Sequence, residues 1–430
     1  MPQTPVAVTA PRGGSDAGAP AADTAADWAR SGVVALTGRA DGPPLVPPGR
    51  AASRARELAE RIASLTAGTA HPVRLDGARL LSERAAHTGH TRCGRVSAGG
   101  SCRLLPTADG WAAVSCARPD DPVLLGALVG AALPPDPWPG IAAWLRRHSG
   151  DELAERASAL GVAAAPVRHP PTPPRPFLDL PGRSVEGLLV VDFSALWAGP
   201  LCAHLLGLAG ARVVKVETPR RPDGARRGDP GFYRLLHAGH SSVVFDPADT
   251  AGRRAMVALV DGADIVIEAS RPRALAGFGL DADAAVSGGT SWISITAAGR
   301  GSDRVGFGDD IAAAAGLVAR EPDGTPLFCG DAIADPLAGL TAAALAMTAP
   351  SRGGGALWDV AMADVVAVTL TAAPAGPAPA ARRSGAGWVV DGAHGPVPVA
   401  EPRRRSASGA AAASGADTSA VLRELRIPVP

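Results

Sequence analysis

Past residue 187 the chain settles into short, unbroken apolar runs separated by helical stretches. Leu188-Leu189-Val190-Val191, Val213-Val214-Lys215-Val216, Ser242-Val243-Val244-Phe245, Ile265-Val266-Ile267 and Trp292-Ile293-Ser294-Ile295 read as strands, with helices over 200–209 and 249–260. Strands apolar on both faces and alternating with helices predict a parallel sheet covered on both sides. The first half is patterned differently. Leu58, Ile62 and Leu65 fall on one face of a helix over 54–66, and from about 72 to 168 a strand at 111–115 mixes with helices around 122–132 and 140–160. Seven prolines from Pro166 to Pro181 are too many for a helix or a paired strand and predict a linker. The expected architecture is α/β, a Rossmann-like parallel-sheet domain with a second, smaller α+β domain placed N-terminally. Its parts are a disordered tail (1–24), a helical segment (25–71), the small domain (72–165), a Pro-rich linker (166–186) and the large domain (187–430).

A short internal repeat runs through this pattern. Gly32-Val33-Val34-Ala35 and Asp41-Gly42-Pro43-Pro44-Leu45 resemble Gly316-Leu317-Val318-Ala319 and Asp323-Gly324-Thr325-Pro326-Leu327. Eleven residues beyond Gly324 stands Asp335; eleven beyond Gly42 stands Ser53. The first copy lacks the carboxylate and reads as a degenerate version of the large domain.

Charge and composition act mainly by exclusion. The 42 Lys+Arg nearly cancel the 41 Asp+Glu, so nucleic acid is not an expected partner. No apolar run approaches the roughly 20 residues that cross a bilayer, and the polar start Met1-Pro2-Gln3-Thr4 lacks the order of a secretory signal. A cytoplasmic protein without a membrane partner is expected. The cysteines at 93, 102, 116, 202 and 329 include no C-x-x-C pair, and His87/His90 and His237/His240 lack a third ligand nearby. Inert thiols and no metal are the expectation.

The chemistry lies in an ordered series of motifs. Asp192-Phe193-Ser194-Ala195-Leu196-Trp197-Ala198-Gly199-Pro200 is followed by Gly210-Ala211-Arg212-Val213-Val214-Lys215-Val216-Glu217, by Asp223-Gly224-Ala225-Arg226, and by Ala263-Asp264-Ile265-Val266-Ile267-Glu268-Ala269-Ser270-Arg271-Pro272. Then come Asp310-Ile311-Ala312-Ala313-Ala314-Ala315-Gly316-Leu317, Ala334-Asp335-Pro336-Leu337-Ala338-Gly339-Leu340 and Trp358-Asp359-Val360-Ala361-Met362. On these motifs, residues 187–365 resemble the class III coenzyme A transferases, the CaiB/BaiF family of formyl-CoA and carnitine-CoA transferases and α-methylacyl-CoA racemases.

The resemblance implies that the large domain binds CoA and that Asp335 accepts the acyl group. On its own, Asp335 before Pro336 and an apolar run reads as a helix N-cap with proline at the first helical position. The resemblance further implies CoA contacts from Ala198, Gly199, Arg226 and Arg271, and a glycine-rich lid from the small domain, for which Gly99 and Gly100 are the candidates. CoA and acyl-CoA would be substrates rather than a tightly held cofactor, a carboxylic acid the second substrate, and a homodimer the assembly.

Three departures from the family pattern matter. The small domain, similar in Leu105–Val114 and Leu160–Val167, precedes the large domain instead of following it, and Gly395–Ala400 supplies the closing segment. His237-Ala238-Gly239-His240-Ser241 replaces a basic stretch, and Trp197 stands where formyl-CoA transferases carry a glutamine. The racemase branch has a histidine immediately before the aspartate matching Asp310, where this chain has Asp309. A transferase is therefore preferred to a racemase or epimerase, with a non-catalytic CoA-binding paralogue as the other alternative.

Overall fold

The computed structural model describes residues 23–168, 180–270, 272–350, 354–370 and 376–429. α1 (Thr24–Ser31) opens the chain, its first turn capped by the Asp23 carboxylate on the Ala26 N–H at 3.0 Å. Residues 23 and 24, expected in the tail, are thus structured; the rest of that tail lies outside the described residues. α2 (Ala51–Thr66), α3 (Gly77–Leu80) and α4 (Glu83–Thr88) follow, with Leu58 and Ile62 of α2 turned inward as their spacing predicts.

The small domain is an antiparallel sheet of β1 (Cys102–Pro106), β2 (Trp111–Ser115) and β3 (Ala164–Pro166), crossed by α5 (Asp121–Val129), α6 (Trp138–Leu145) and α7 (Gly150–Leu160). The single helix expected over 140–160 is two. Ser149 interrupts it, its hydroxyl accepting the Glu152 N–H at 3.2 Å, and Asp151 and Glu152 complement the new N-terminus. The linker also begins later than expected. Pro166 pairs with Ala112 on the sheet's outer strand, where a missing N–H is tolerated; most of the linker lies outside the described residues.

The large domain contains β4 (Leu189–Asp192), α8 (Ala198–Leu208), β5 (Arg212–Glu217), α9 (Pro230–His237), β6 (Ser241–Val244), α10 (Thr250–Asp261) and β7 (Ile265–Glu268). It continues through α11 (Pro272–Ala276), α12 (Ala282–Ser287), β8 (Ser291–Thr296), α13 (Gly308–Ala314), the hairpin β9 (Val318–Arg320) and β10 (Pro326–Phe328), α14 (Ala334–Ala346), β11 (Ala356–Ala361) and α15 (Met362–Ala367). A meander of β12 (Arg382–Ser384), β13 (Gly387–Gly392) and β14 (Gly395–Pro398), then α16 (Thr418–Glu424), completes it. Strands in the order β11-β8-β7-β4-β5-β6 form one sheet, every pair parallel. All five expected strands are present, and β11 joins them as a sixth. The order reverses between β4 and β7, which opens a crevice at their carboxyl ends.

Alternating side chains explain why both faces are covered. Val190, Ile265, Ile267, Ile293 and Ile295 point into one core, and Val191, Val214, Val266 and Trp292 into the other, against α10, α12 and α16. The first core also takes in Trp28, Leu58 and Ile62 from α1 and α2, packed with Leu201 and Leu205 of α8 and Leu337 and Leu340 of α14. Residues 25–66 are therefore part of the large domain's hydrophobic core, each buried leucine or isoleucine contributing roughly 1.5–3 kcal/mol.

The small domain joins the large one across α13. Cys102, Leu104 and Ala113 pack on Ala313, Val318 and Phe328, and the Ser115 hydroxyl donates to Asp310 at 2.8 Å. A strap over 400–417 then crosses the molecule: the Ala400 N–H donates to the Ala29 carbonyl, Arg405 pairs with Glu83, and the Ser242 N–H donates to Asp417. Among the described residues no helix is long and apolar enough to cross a membrane.

Candidate active site

Asp335 sits in the first turn of α14, but not as its cap. The helix starts at Ala334 with Ile333 in the cap position and no side-chain cap bond, so Asp335 is the second helical residue and Pro336 the third. The N-cap expectation is corrected by the turn before it. Ala332 adopts φ +48° and its carbonyl accepts the Asp335 N–H at 2.9 Å, which starts the helix early. The part-buried carboxyl lies against the backbone of Gly308, where any Cβ would overlap its Oδ2.

Three more carboxyls surround it, all buried. Asp309 accepts the Ala332 N–H at 2.7 Å and so braces the left-handed turn. Asp310 accepts the Phe307 N–H and the Ser115 hydroxyl, each at 2.8 Å. Asp331 is gripped by Arg84, whose Nε donates at 2.9 Å and whose Nη2 meets the other oxygen, while His90 Nδ1 stands 3.3 Å away.

The electrostatics follow from this crowding. Burial, with Asp309, Asp310 and Asp331 adding repulsion and Arg84 opposing, pushes the Asp335 carboxyl up to about 7. Burial also lifts Asp309 and Asp310 to about 6 each. Burial would raise Asp331 as well, yet Arg84 and His90 hold it well below the usual carboxylate range.

The loop carrying Gly99 and Gly100 is a tight turn, with the Gly100 N–H on the Ser97 carbonyl at 2.8 Å and φ +79° at Gly100. It lies beside this cluster: a Cβ on Gly99 would stand 3.4 Å from His90 and 3.6 Å from Arg84. Trp197 closes the other side. Its ring centroid is 5.5 Å from the Arg84 guanidinium, and its buried indole N–H has no partner.

At the crevice between β4 and β7 the loop 193–197 is pinned by a buried charge relay. Lys215 pairs with Asp223 at 2.9 Å and donates to the Ser194 carbonyl, and Asp223 accepts the Leu196 N–H at 3.0 Å. Leu196 is thereby held at φ +69° with its side chain 42% exposed. Leu196 thus joins a left-handed backbone to an exposed apolar side chain at the switch point of the sheet, the place where open α/β sheets bind ligands. Gly199 lets α8 start directly over Ser194, and Ala198 is buried; the Ala198 carbonyl would lie 2.6 Å from a Cβ on Gly339, which allows α8 and α14 their close approach.

Arg226 is placed differently from what its motif implies. Its Nε and Nη2 pair with Glu217, Nη2 also reaches Ser242, and Nη1 donates to the Ala412 carbonyl at 3.2 Å. Four of the five N–H groups of a guanidinium are thus committed to the protein, fastening the strap to β5 and β6. His237 and His240 are buried, and burial lowers both, His240 to about 4; neither is a free cation. Arg271 lies outside the described residues.

The structure brings Gly99 beside Arg84 and His90, and adds Arg84, His90, Asp309 and Asp331 to the surroundings of Asp335, residues that sequence reasoning did not select. Two faint signals existed: Asp331 stands one helical turn before Asp335, and Asp309 occupies the position of the racemase histidine. Nothing local marks Arg84.

The site is thus a crowded aspartate in the first turn of a buried helix of an α/β protein. Residues 185–387 match the family model CoA-transferase family III. Over 218 residues it is 29% identical to a succinate–glutarate CoA-transferase of Agrobacterium fabrum, covering 45% of this chain and 54% of that protein. Over 183 residues it is 31% identical to a succinyl-CoA–D-citramalate CoA-transferase of Chloroflexus aurantiacus, covering 39% and 46%. A solved CaiB/BaiF family protein from Brucella suis aligns at 26% identity, over 50% of this chain and 65% of that one, with a TM-score of 0.42. The chain spans about half the length of these two curated relatives.

Proposed function

We propose that the protein moves CoA from an acyl-CoA donor to a carboxylic acid acceptor, with Asp335 as the covalent carrier. The observation that carries this reading is the placement of Asp335: a part-buried carboxyl in the first turn of α14, against a glycine backbone, inside the family-matching segment. The first turn of a helix offers unsatisfied N–H groups and a positive dipole end, which favour a carboxylate and a developing oxyanion.

The steps balance without any added reagent. The Asp335 carboxylate attacks the donor thioester carbonyl, the C–S bond breaks, and a mixed anhydride and CoA thiolate form. The thiolate attacks the aspartyl carbonyl, releasing the donor acid and leaving an aspartyl-CoA thioester. The acceptor carboxylate attacks that thioester to give a second anhydride and the thiolate, which takes the acceptor acyl group and restores the carboxylate. The anhydrides survive only if water is kept away, and the Gly99-Gly100 turn beside Arg84 and His90 is the proposed cover. Leu196 and the crevice at the switch point are the proposed seat for CoA. A homodimer and a cytoplasmic location accompany this reading.

The racemase alternative is disfavoured because Asp309, in the place of the second base, has one oxygen bound to the Ala332 N–H. A non-catalytic paralogue is favoured by one observation, the internal commitment of Arg226, which takes the motif arginine away from CoA. Incubation with labelled acyl-CoA and a free acid, followed by hydroxylamine trapping and mass analysis of the Asp335 peptide, separates the three. CoA exchange with a hydroxamate at Asp335 supports the transferase; α-proton exchange alone points to a racemase; neither leaves a binding protein.

A further inference from the structure

We propose that Arg84 is a positioning residue for Asp335, reaching the nucleophile's turn from the amino-terminal part of the chain. The proposal rests on the reading of Asp335 as acyl carrier, and its geometry is specific. Arg84 is the second residue of α4. Its guanidinium forks onto Asp331, lies over the Trp197 ring, and has the Gly99 backbone behind Nη2. Beside it Glu83 is buried and held by Arg405 through bonds of 2.7 and 2.8 Å, so α4 is fastened to the strap on one side and to the nucleophile's loop on the other. Arg84 cannot act as a free arm that follows the substrate.

What the fork holds is the start of the strained turn. Asp331 precedes Ala332, whose positive φ and carbonyl set the direction in which Asp335 leaves the helix. The fork fixes that turn and places a cation beside a group of carboxyls. The charged and titratable groups facing Asp335 are Arg84 from α4, Asp309 and Asp310 from α13, and Asp331 from its own loop. Behind them stand His90 against Asp331, Arg304 against Asp310, and the Cys102 thiol of β1 near Asp309 and Asp310. Arg84 opposes the rise of the Asp335 carboxyl; Asp331 adds to it. The two partners of one ion pair thus act on Asp335 in opposite senses, and that makes the role separable from simple support.

The test is the titration of Asp335 in the full chain, read as its carbodiimide labelling against pH by mass spectrometry, with the pH profile of CoA exchange beside it. Arg84→Gln should move the labelling midpoint and the acidic limb of the profile upward by roughly one unit, and Asp331→Asn should move both downward. Arg84→Lys, which keeps the charge but not the fork, should hold the midpoint near wild type with slower exchange. A purely structural pair predicts instead that Arg84→Gln and Asp331→Asn move together or not at all, and either result overturns the proposal. If Arg84→Gln does not fold, the Asp331→Asn midpoint decides: a downward shift supports the proposal, and an unchanged or raised one ends it. Absence of CoA exchange in the wild type would sink the transferase reading alone, because the labelling still reports on Arg84.

Discussion

The starts of α2 and α14 are the two copies of one short pattern, and they have been put to different uses. In each the residue eleven beyond a matching glycine falls in the first turn of the helix, and the two helices pack in the same core. The copies also touch at their turns, where the Gly330 N–H donates to the Thr37 hydroxyl at 3.2 Å. In α2 the equivalent residue is Ser53, wholly buried with its hydroxyl unpartnered. In α14 it is Asp335, part-buried, with Arg84 close by. A carboxylate at a helix start gains about 0.3–1 kcal/mol from the dipole, whereas stripping it of water costs several kcal/mol. The dipole alone therefore cannot make a carboxylate acceptable at either position. Solvent contact and a nearby cation decide, and only the second copy has both.

The comparison is most exposed to a change at Asp335 itself. Asp335→Asn should lower CoA exchange about a thousandfold or more while the far-ultraviolet spectrum stays unchanged; exchange within tenfold of wild type would remove Asp335 from the mechanism. Next comes the converse change, Ser53→Asp, which puts a carboxylate into the copy that has no solvent contact. We expect a loss of about 3 kcal/mol or more in urea unfolding at pH 8, and a loss below about 1 kcal/mol would show that burial is not what separates the two starts.

A smaller effect carries a definite sign. The folded-state value of Asp335, about 7, lies above its unfolded value, so its contribution to stability is fully present below about 4 and is lost as pH rises through 7. Asp335→Asn should match wild type near pH 4 and exceed it by on the order of 1–2 kcal/mol at pH 8, since solvent reaches the group. Wild type proving the more stable at pH 8 would reverse the assignment. The smallest effect belongs to Ser53→Ala, expected within about 0.5 kcal/mol of wild type because the hydroxyl makes no bond to lose.

Much of this was legible in one dimension. The alternating apolar runs announce the sheet because each strand must be apolar on both faces to lie between two helical layers. Asp335 is legible only through the motif around it; its local pattern suggested a cap, and the strained turn at Ala332 moved the helix start ahead of it, to Ala334. The surroundings of Arg226 were hidden for a related reason. A motif arginine looks like a phosphate ligand until its donors are counted, and the carbonyl it meets belongs to Ala412, 186 residues away.

The sequence by itself determined where strands and helices form, that the sheet is parallel, and which aspartate to suspect, since these depend on side-chain periodicity and on residues adjacent in the chain. Only the tertiary structure decided which charges face that aspartate. Arg84 and Asp331 are 247 residues apart and Ser115 and Asp310 are 195 apart. Their meeting follows from α4 and β2 packing onto the large domain, and the charge state of a buried carboxyl depends on such neighbours and on its access to water, neither of which is encoded in the residues beside it.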